Sequence, residues 1–167
     1  DFLKSMDFRV ELVPAGEKYE ERIINLATKA HQLNYTKKKL DHSDFVRLSA
    51  KRNAEFKCIR LTEKTGDNGI IGFYYLLDNR LIHFVFSCRV MNVGVPQWIY
   101  SYLGCPTIEI KGETAESITK EPCLPDHIHI AKQEHTSILC AKLNNDEKKL
   151  IYVYGGCNIH RCISYLA

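Results

Sequence analysis

The stretch Leu81-Ile-His-Phe-Val-Phe-Ser-Cys88-Arg-Val-Met-Asn-Val-Gly94-Val-Pro-Gln-Trp98 decides the fold. Residues 81–86 are almost continuously apolar, the pattern of a strand covered on both faces. Asn92-Val93-Gly94 ends the extended run, because Asn and Gly adopt left-handed backbone angles at low cost. Pro96 suits the first turn of a helix, where its missing N–H would have had no partner. Trp98, Ile99, Tyr102 and Leu103 follow at helical spacing, with Gly104 placed as a C-terminal cap. Strand, tight turn and helix start together leave the N–H groups of Asn92, Val93, Gly94 and Val95 at a helix N-terminus. Arg89 stands beside them, and such an arrangement is suited to an anion, most naturally a phosphate.

Upstream, residues 8–13 alternate as a first strand, closed by Pro14-Ala-Gly16. Residues 19–33 read as an amphipathic helix with Ile23, Leu26, Ala27 and Ala30 on one face, broken at Asn34-Tyr35-Thr36. Ser43 is placed to cap a second helix through Phe45, Val46 and Leu48. Residues 56–63 and 70–77 are strands joined by the hairpin Thr65-Gly-Asp-Asn-Gly69. A short strand over 107–110 follows the helix. This order predicts an α+β fold, a mixed and mostly antiparallel sheet flanked by helices, over residues 1–112. Residues 113–167 then read as a linker, a β-rich tail and the start of a further α/β domain. Short strands are expected at 127–130, 137–143 and 150–154, the last running through Gly155-Gly156-Cys157 into a helix. That strand–turn–helix has the form of a nucleophile elbow or of a Rossmann-type first turn, and it looks like the opening of an SGNH-type hydrolase, with Cys157 in the serine position.

The composition narrows the function classes. The chain has 167 residues, 45% of them hydrophobic, enough for one ordinary core. A net charge of +3, with no long basic run, argues against electrostatic binding of nucleic acid. No stretch is long and apolar enough to span a bilayer, so no membrane association is expected. The seven cysteines form no C-x-x-C pair and several lie in apolar runs, which points away from zinc and towards a reducing, cytoplasmic setting. Opening on Asp1, without an initiator Met or a signal-type apolar region, the chain reads as an excised piece of a longer protein.

Three segments carry a family resemblance. Arg89-Val-Met-Asn92-Val-Gly94 resembles the R-x-x-G-x-G/A pyrophosphate loop of GNAT-type acyltransferases, with Asn92 in place of the first Gly. Phe86-Ser-Cys88-Arg89-Val is similar to the S-C-R-V segment of FkbH-like proteins. Those proteins are associated with building glyceryl- and methoxymalonyl-type units on an acyl carrier protein. Asp1-Phe-Leu-Lys-Ser-Met6, followed by Ala27-Thr-Lys-Ala-His-Gln32-Leu-Asn34-Tyr-Thr36-Lys-Lys38, resembles the family's K-x-x-Q-F-N-x-T-x-R-R stretch. Gly66-Asp67-Asn68-Gly69-Ile-Ile-Gly72 resembles its G-D-x-G-L-I-G. The resemblance implies a GNAT-like fold in which the strand before the loop and the strand after the helix splay apart around a pantetheine arm. It implies acyl or glyceryl transfer on a thiol, with coenzyme A or the 4'-phosphopantetheine of an acyl carrier protein as cofactor. It further implies an upstream HAD-type phosphatase domain as partner. No D-x-D-x-T motif occurs in this chain, so that phosphatase chemistry is not expected of it.

Each candidate site residue has two readings. Cys88 is either a nucleophile that carries an acyl group as a thioester or a small residue chosen for packing. His83 is either a general base turned towards the cleft or a core histidine held by a hydrogen bond. Gln32, Asn34 and Thr36 either satisfy helix-end carbonyls or, as the resemblance implies, contact substrate. Lys37-Lys38-Lys39 stands where the family has paired arginines, and lysine does not grip an anion in the same bidentate way. His31 reads as a solvated helix residue. His127 and His129 would share one strand face but lack further ligands, so no metal is expected.

Overall fold

The computed structural model of the chain describes residues 6–131. Strand β1 (Phe8–Pro14) leads through a 3-10 turn (Glu17–Tyr19) into helix α1 (Glu20–Lys29), then helix α2 (His42–Ser49). Strands β2 (Ala54–Glu63), β3 (Gly66–Leu77) and β4 (Arg80–Phe86) form an antiparallel meander. A 3-10 turn (Cys88–Val90), helix α3 (Val95–Tyr102) and the short strands β5 (Thr107–Ile108) and β6 (Ile128–Ile130) complete the order. The sheet runs β5-β4-β3-β2-β1-β6, with parallel pairs at its two edges. The fold is therefore α+β with a mixed, mostly antiparallel sheet, and β4 lies inside it.

Alternation along the strands sends side chains to two faces. Ile59, Phe84 and Phe86 join Val95, Trp98 and Ile99 of α3 in one apolar cluster. Cys58, Phe73, Tyr75 and Val85 join Ile23, Leu26 and Ala27 of α1 and Phe45 and Leu48 of α2 in the other. Both faces of β4 are covered, which is why its sequence is apolar without interruption. Gly72 makes room for this strand: a Cβ there would sit 2.7 Å from the Val85 carbonyl oxygen and 2.8 Å from the Phe86 ring.

Several sequence expectations shift. Helix α1 stops at Lys29, four residues before Leu33, because residues 33–35 are used as a strand-like segment beside β4. The cap of α2 is Asp41 rather than Ser43. The Asp41 carboxylate accepts from the Asp44 N–H at 2.8 Å, and Ser43 donates to Asp41. Residues 113–131 were expected to begin a linker and a further domain. They belong to the compact unit Asp1–Glu134, and β6 extends its sheet by pairing parallel with β1. The strands expected at 137–143 and 150–154 and the turn at Cys157 lie outside the described residues.

Candidate functional site

Strand β4 delivers the site. It ends at Phe86, and the N–H of Ser87 is tied back to the Ile71 carbonyl at 2.7 Å. The Ser87 hydroxyl accepts from the Arg89 N–H, starting the 3-10 turn in which the Val90 side chain is buried and Cys88 is exposed. Asn92 then takes a φ of 63° and Gly94 a φ of 84°. These two left-handed residues reverse the chain, and Pro96 enters the first turn of α3.

Cys88 and Ser87 line a groove of about 460 Å³ together with Arg22, Asn25, Lys29, His31, Gln32 and Phe86. Its wall carries cationic side chains and no carboxylate. Burial, followed by the neighbouring charge of Arg89, holds Arg22 below the usual guanidinium range. Arg22 also donates through Nε and Nη2 to the Ile70 carbonyl, each at 3.0 Å, which fixes α1 against β3. A flatter depression of about 510 Å³ crosses the solvated face of α1 between Glu17 and Lys29, and neither cysteine nor histidine lines it.

Of the residues singled out from the sequence, Gln32 reaches the Cys88 groove and Asn34 and Thr36 do not line it. Asn34 is buried and organises its own loop. Its Oδ1 accepts from the Lys37 N–H at 2.8 Å, and its Nδ2 donates to the Ala27 carbonyl at 3.4 Å. Thr36 is buried beside it. His83 stands opposite Tyr75 on the face covered by α1 and α2, with its ring 6.0 Å from that of Phe73. Its Nδ1 is buried without a hydrogen-bond partner, and burial, reinforced by Lys38, pushes its pKa down to about 4. His83 does not line the groove, so the expected base and nucleophile are not brought together. The histidine that does line it is His31, which reads from sequence as a solvated residue.

The turn expected to converge on a phosphate is partly used by the protein itself. The Asn92 N–H donates to the carboxylate of Glu116, and the Val93 N–H donates to the Val90 carbonyl at 3.3 Å. The N–H groups of Gly94 and Val95 precede the first intrahelical bond, from Trp98 to the Gly94 carbonyl. Arg89, in the 3-10 turn that precedes them, is exposed.

The splay between β4 and the segment after α3 is also spanned. The strands β4 and β5 pair only at Arg80↔Thr107 and Leu81↔Ile108. Beyond that, residues 33–35 enter between them. The Tyr35 N–H donates to the Phe84 carbonyl at 3.1 Å and the Phe86 N–H to the Leu33 carbonyl at 2.9 Å. On the other side, the Lys111 N–H donates to the Tyr35 carbonyl and the Ala115 N–H to the Gln32 carbonyl, both at 2.9 Å. The path that the resemblance assigns to a pantetheine arm is here bridged by main chain along Phe84 to Phe86.

Arg22, Ser87 and Glu116 were not singled out by sequence reasoning, and His31 was read as a solvated helix residue. Arg22 and His31 sit on an ordinary amphipathic helix and its end, and Glu116 sits in a polar stretch, so no local signal marks them. Ser87 had one, its place between a buried strand and Cys88-Arg89. Among the described residues no group of three or more His, Cys, Asp and Glu is placed to hold a metal ion. No helix among them is long and apolar enough to cross a membrane. No family model, curated protein or solved structure matches the chain.

Proposed function

We propose that this chain is a GNAT-like, FkbH-like domain that transfers an acyl or glyceryl group to or from a phosphopantetheine thiol, with Cys88 as the nucleophile. The observation that carries this reading is the exposed Cys88 thiol in the turn just after a buried strand, in a groove walled by Arg22, Lys29, His31 and Gln32. A cationic wall attracts an anionic substrate. In the proposed step Cys88 Sγ attacks the acyl carbonyl and forms a C–S bond. The donor's leaving group departs with its bonding electron pair and takes up the thiol proton. The carrier thiol then attacks the Cys88 thioester and restores the cysteine. His31 and Gln32 are the groove residues able to relay that proton and to donate to the carbonyl oxygen.

The implied cofactor is coenzyme A or the 4'-phosphopantetheine of an acyl carrier protein, held at Arg89 and residues 92–95. The implied partners are that carrier protein and an upstream phosphatase domain. Cys58, Cys88, Cys105 and Cys123 are free thiols, which supports a cytoplasmic setting.

A second reading, a non-catalytic module that binds the phosphopantetheine arm or docks a neighbouring domain, is favoured by the bridged splay between β4 and β5. Intact-mass measurement with acyl-coenzyme A and with an acylated carrier protein separates the two. The transfer reading expects an acyl adduct that maps to Cys88 and is absent in Cys88→Ser. Binding without any adduct supports the docking module.

A further inference from the structure

The segment over residues 112–126 forms a strap along α3, from the turn before it to Ser101. Gln97 holds it from both sides of its amide: Nε2 donates to the carbonyls of Thr119 and Glu121 at 3.1 and 3.2 Å, and Oε1 accepts the Thr119 N–H at 2.7 Å. The Ser101 hydroxyl accepts the Cys123 N–H at 2.9 Å. The near end is fixed by Ala115, whose N–H reaches the Gln32 carbonyl. Between these anchors the Glu116 carboxylate takes the N–H of Asn92, the left-handed residue of the turn before the helix.

A carboxylate at this place is chemically apt, because a helix N-terminus and its preceding turn favour negative charge. A second polar group lies within the same field. The Tyr35 hydroxyl is fully buried and has no hydrogen-bond partner, and the negative charge of Glu116 adds to burial in keeping it protonated. The turn thus already serves one anion, and a buried hydroxyl nearby is left with an unused donor.

We propose that Glu116 is a built-in anion occupying the place of a ligand phosphate at the Asn92 turn, so that a phosphate-bearing ligand binds by displacing the strap. The identity of that ligand as phosphopantetheine rests on the functional reading above; the displacement does not. Carboxylate and phosphate oxygens compete for the same N–H at the same kind of distance, so they exclude each other. The strap is held mainly by side-chain and main-chain bonds: residues 119–124 are all exposed, and Ile118, which packs against the apolar cluster, is only partly buried. It is therefore able to lift without unfolding the sheet.

The test uses the full chain and inorganic pyrophosphate as probe, with calorimetric titration of the wild type, Glu116→Ala, Glu116→Gln and Glu113→Ala. Glu113 is an exposed acid on the same strap and controls for bulk charge. Glu116→Ala is expected to bind pyrophosphate about fivefold more tightly than wild type, and Glu116→Gln to change in the same direction. The Asn92 amide is expected to exchange its hydrogen faster in Glu116→Ala. Glu113→Ala is expected to change neither. Equal affinities, an equal gain in Glu113→Ala, unchanged Asn92 exchange, or no pyrophosphate binding by any of the proteins would each overturn the proposal. Coenzyme A in the same titrations distinguishes the two claims. Gain for pyrophosphate without coenzyme A binding keeps the strap and removes the phosphopantetheine reading. Coenzyme A bound alike by wild type and Glu116→Ala removes the strap and leaves that reading intact.

Discussion

The N–H of Phe86 donates to the carbonyl of Leu33 at 2.9 Å. That bond joins the last residue of β4 to the loop after α1, and it brings Gln32 to the wall of the groove that holds Cys88. The loop keeps this course because Asn34 is folded into it, accepting the Lys37 N–H and donating to the Ala27 carbonyl. Asn34→Ala is expected to cost about 1–2 kcal/mol in urea denaturation, through lost buried hydrogen bonds. Gln32→Ala, at an exposed position, is expected to stay within about 0.5 kcal/mol of wild type and to affect only reaction at Cys88. Equal destabilisation by the two variants would contradict this division of roles.

Gly72 and Gly94 should respond differently to added side chains. At Gly72 a Cβ would press on the Val85 carbonyl and the Phe86 ring, both parts of β4 that have little room to move. Gly72→Ala is expected to lose about 1–3 kcal/mol, seen as a lower thermal midpoint. At Gly94 a Cβ meets open space, but φ is 84°. Gly94→Ala is expected to cost about 1–2 kcal/mol from the backbone alone, and Gly94→Asn less, since Asn visits this region more readily. A Gly72→Ala protein as stable as wild type would mean that β3 and β4 are further apart than described.

Burial of His83 makes stability depend on pH. Its folded-state pKa is pushed down to about 4 from an ordinary 6.5, by desolvation first and then by Lys38. Above the unfolded value both states are neutral and the histidine contributes no slope. As pH falls from about 6.5 towards about 4, the unfolded chain gains a proton that the folded one refuses, so stability is lost over that window and the loss levels off below it. The full effect amounts to about 3 kcal/mol at most. His83→Phe removes the titrating group and also the unpartnered Nδ1. The variant should therefore gain on wild type between about pH 7.5 and about pH 4.5 in paired urea melts. A constant difference across that range would show that His83 is solvated.

The cysteines should separate by alkylation. Cys88 and Cys123 are exposed, whereas Cys58 is fully buried and burial pushes its thiol up to about 12. Brief treatment of the native protein with iodoacetamide, followed by peptide mass mapping, is expected to modify Cys88 and Cys123 and to spare Cys58 until denaturant is added. Rapid native labelling of Cys58 would place α1 and α2 off the sheet.

Local patterns in the chain determined most of the elements. The uninterrupted apolar run before Ser87 could only be a doubly covered strand, and Asn92, Gly94 and Pro96 could only be a left-handed turn opening a helix. The preferences of single residues decide both features, so neighbours in sequence suffice to read them. The meander of β2, β3 and β4 and the short β6 were legible for the same reason. Where α1 ends was not legible, because Ala30, His31 and Gln32 continue a helical pattern and only the open edge of β4 draws residues 33–35 into strand-like pairing. The site followed tertiary structure still more closely. Alternation along β4 allows His83 either face, and the packing of α1 and α2 buried it away from Cys88. His31, Arg22 and Glu116 gained their places because a helix end, a helix face and a strap were brought to one strand end and its turn. Such proximity between residues tens of positions apart is a property of the packed sheet, which no window of sequence contains.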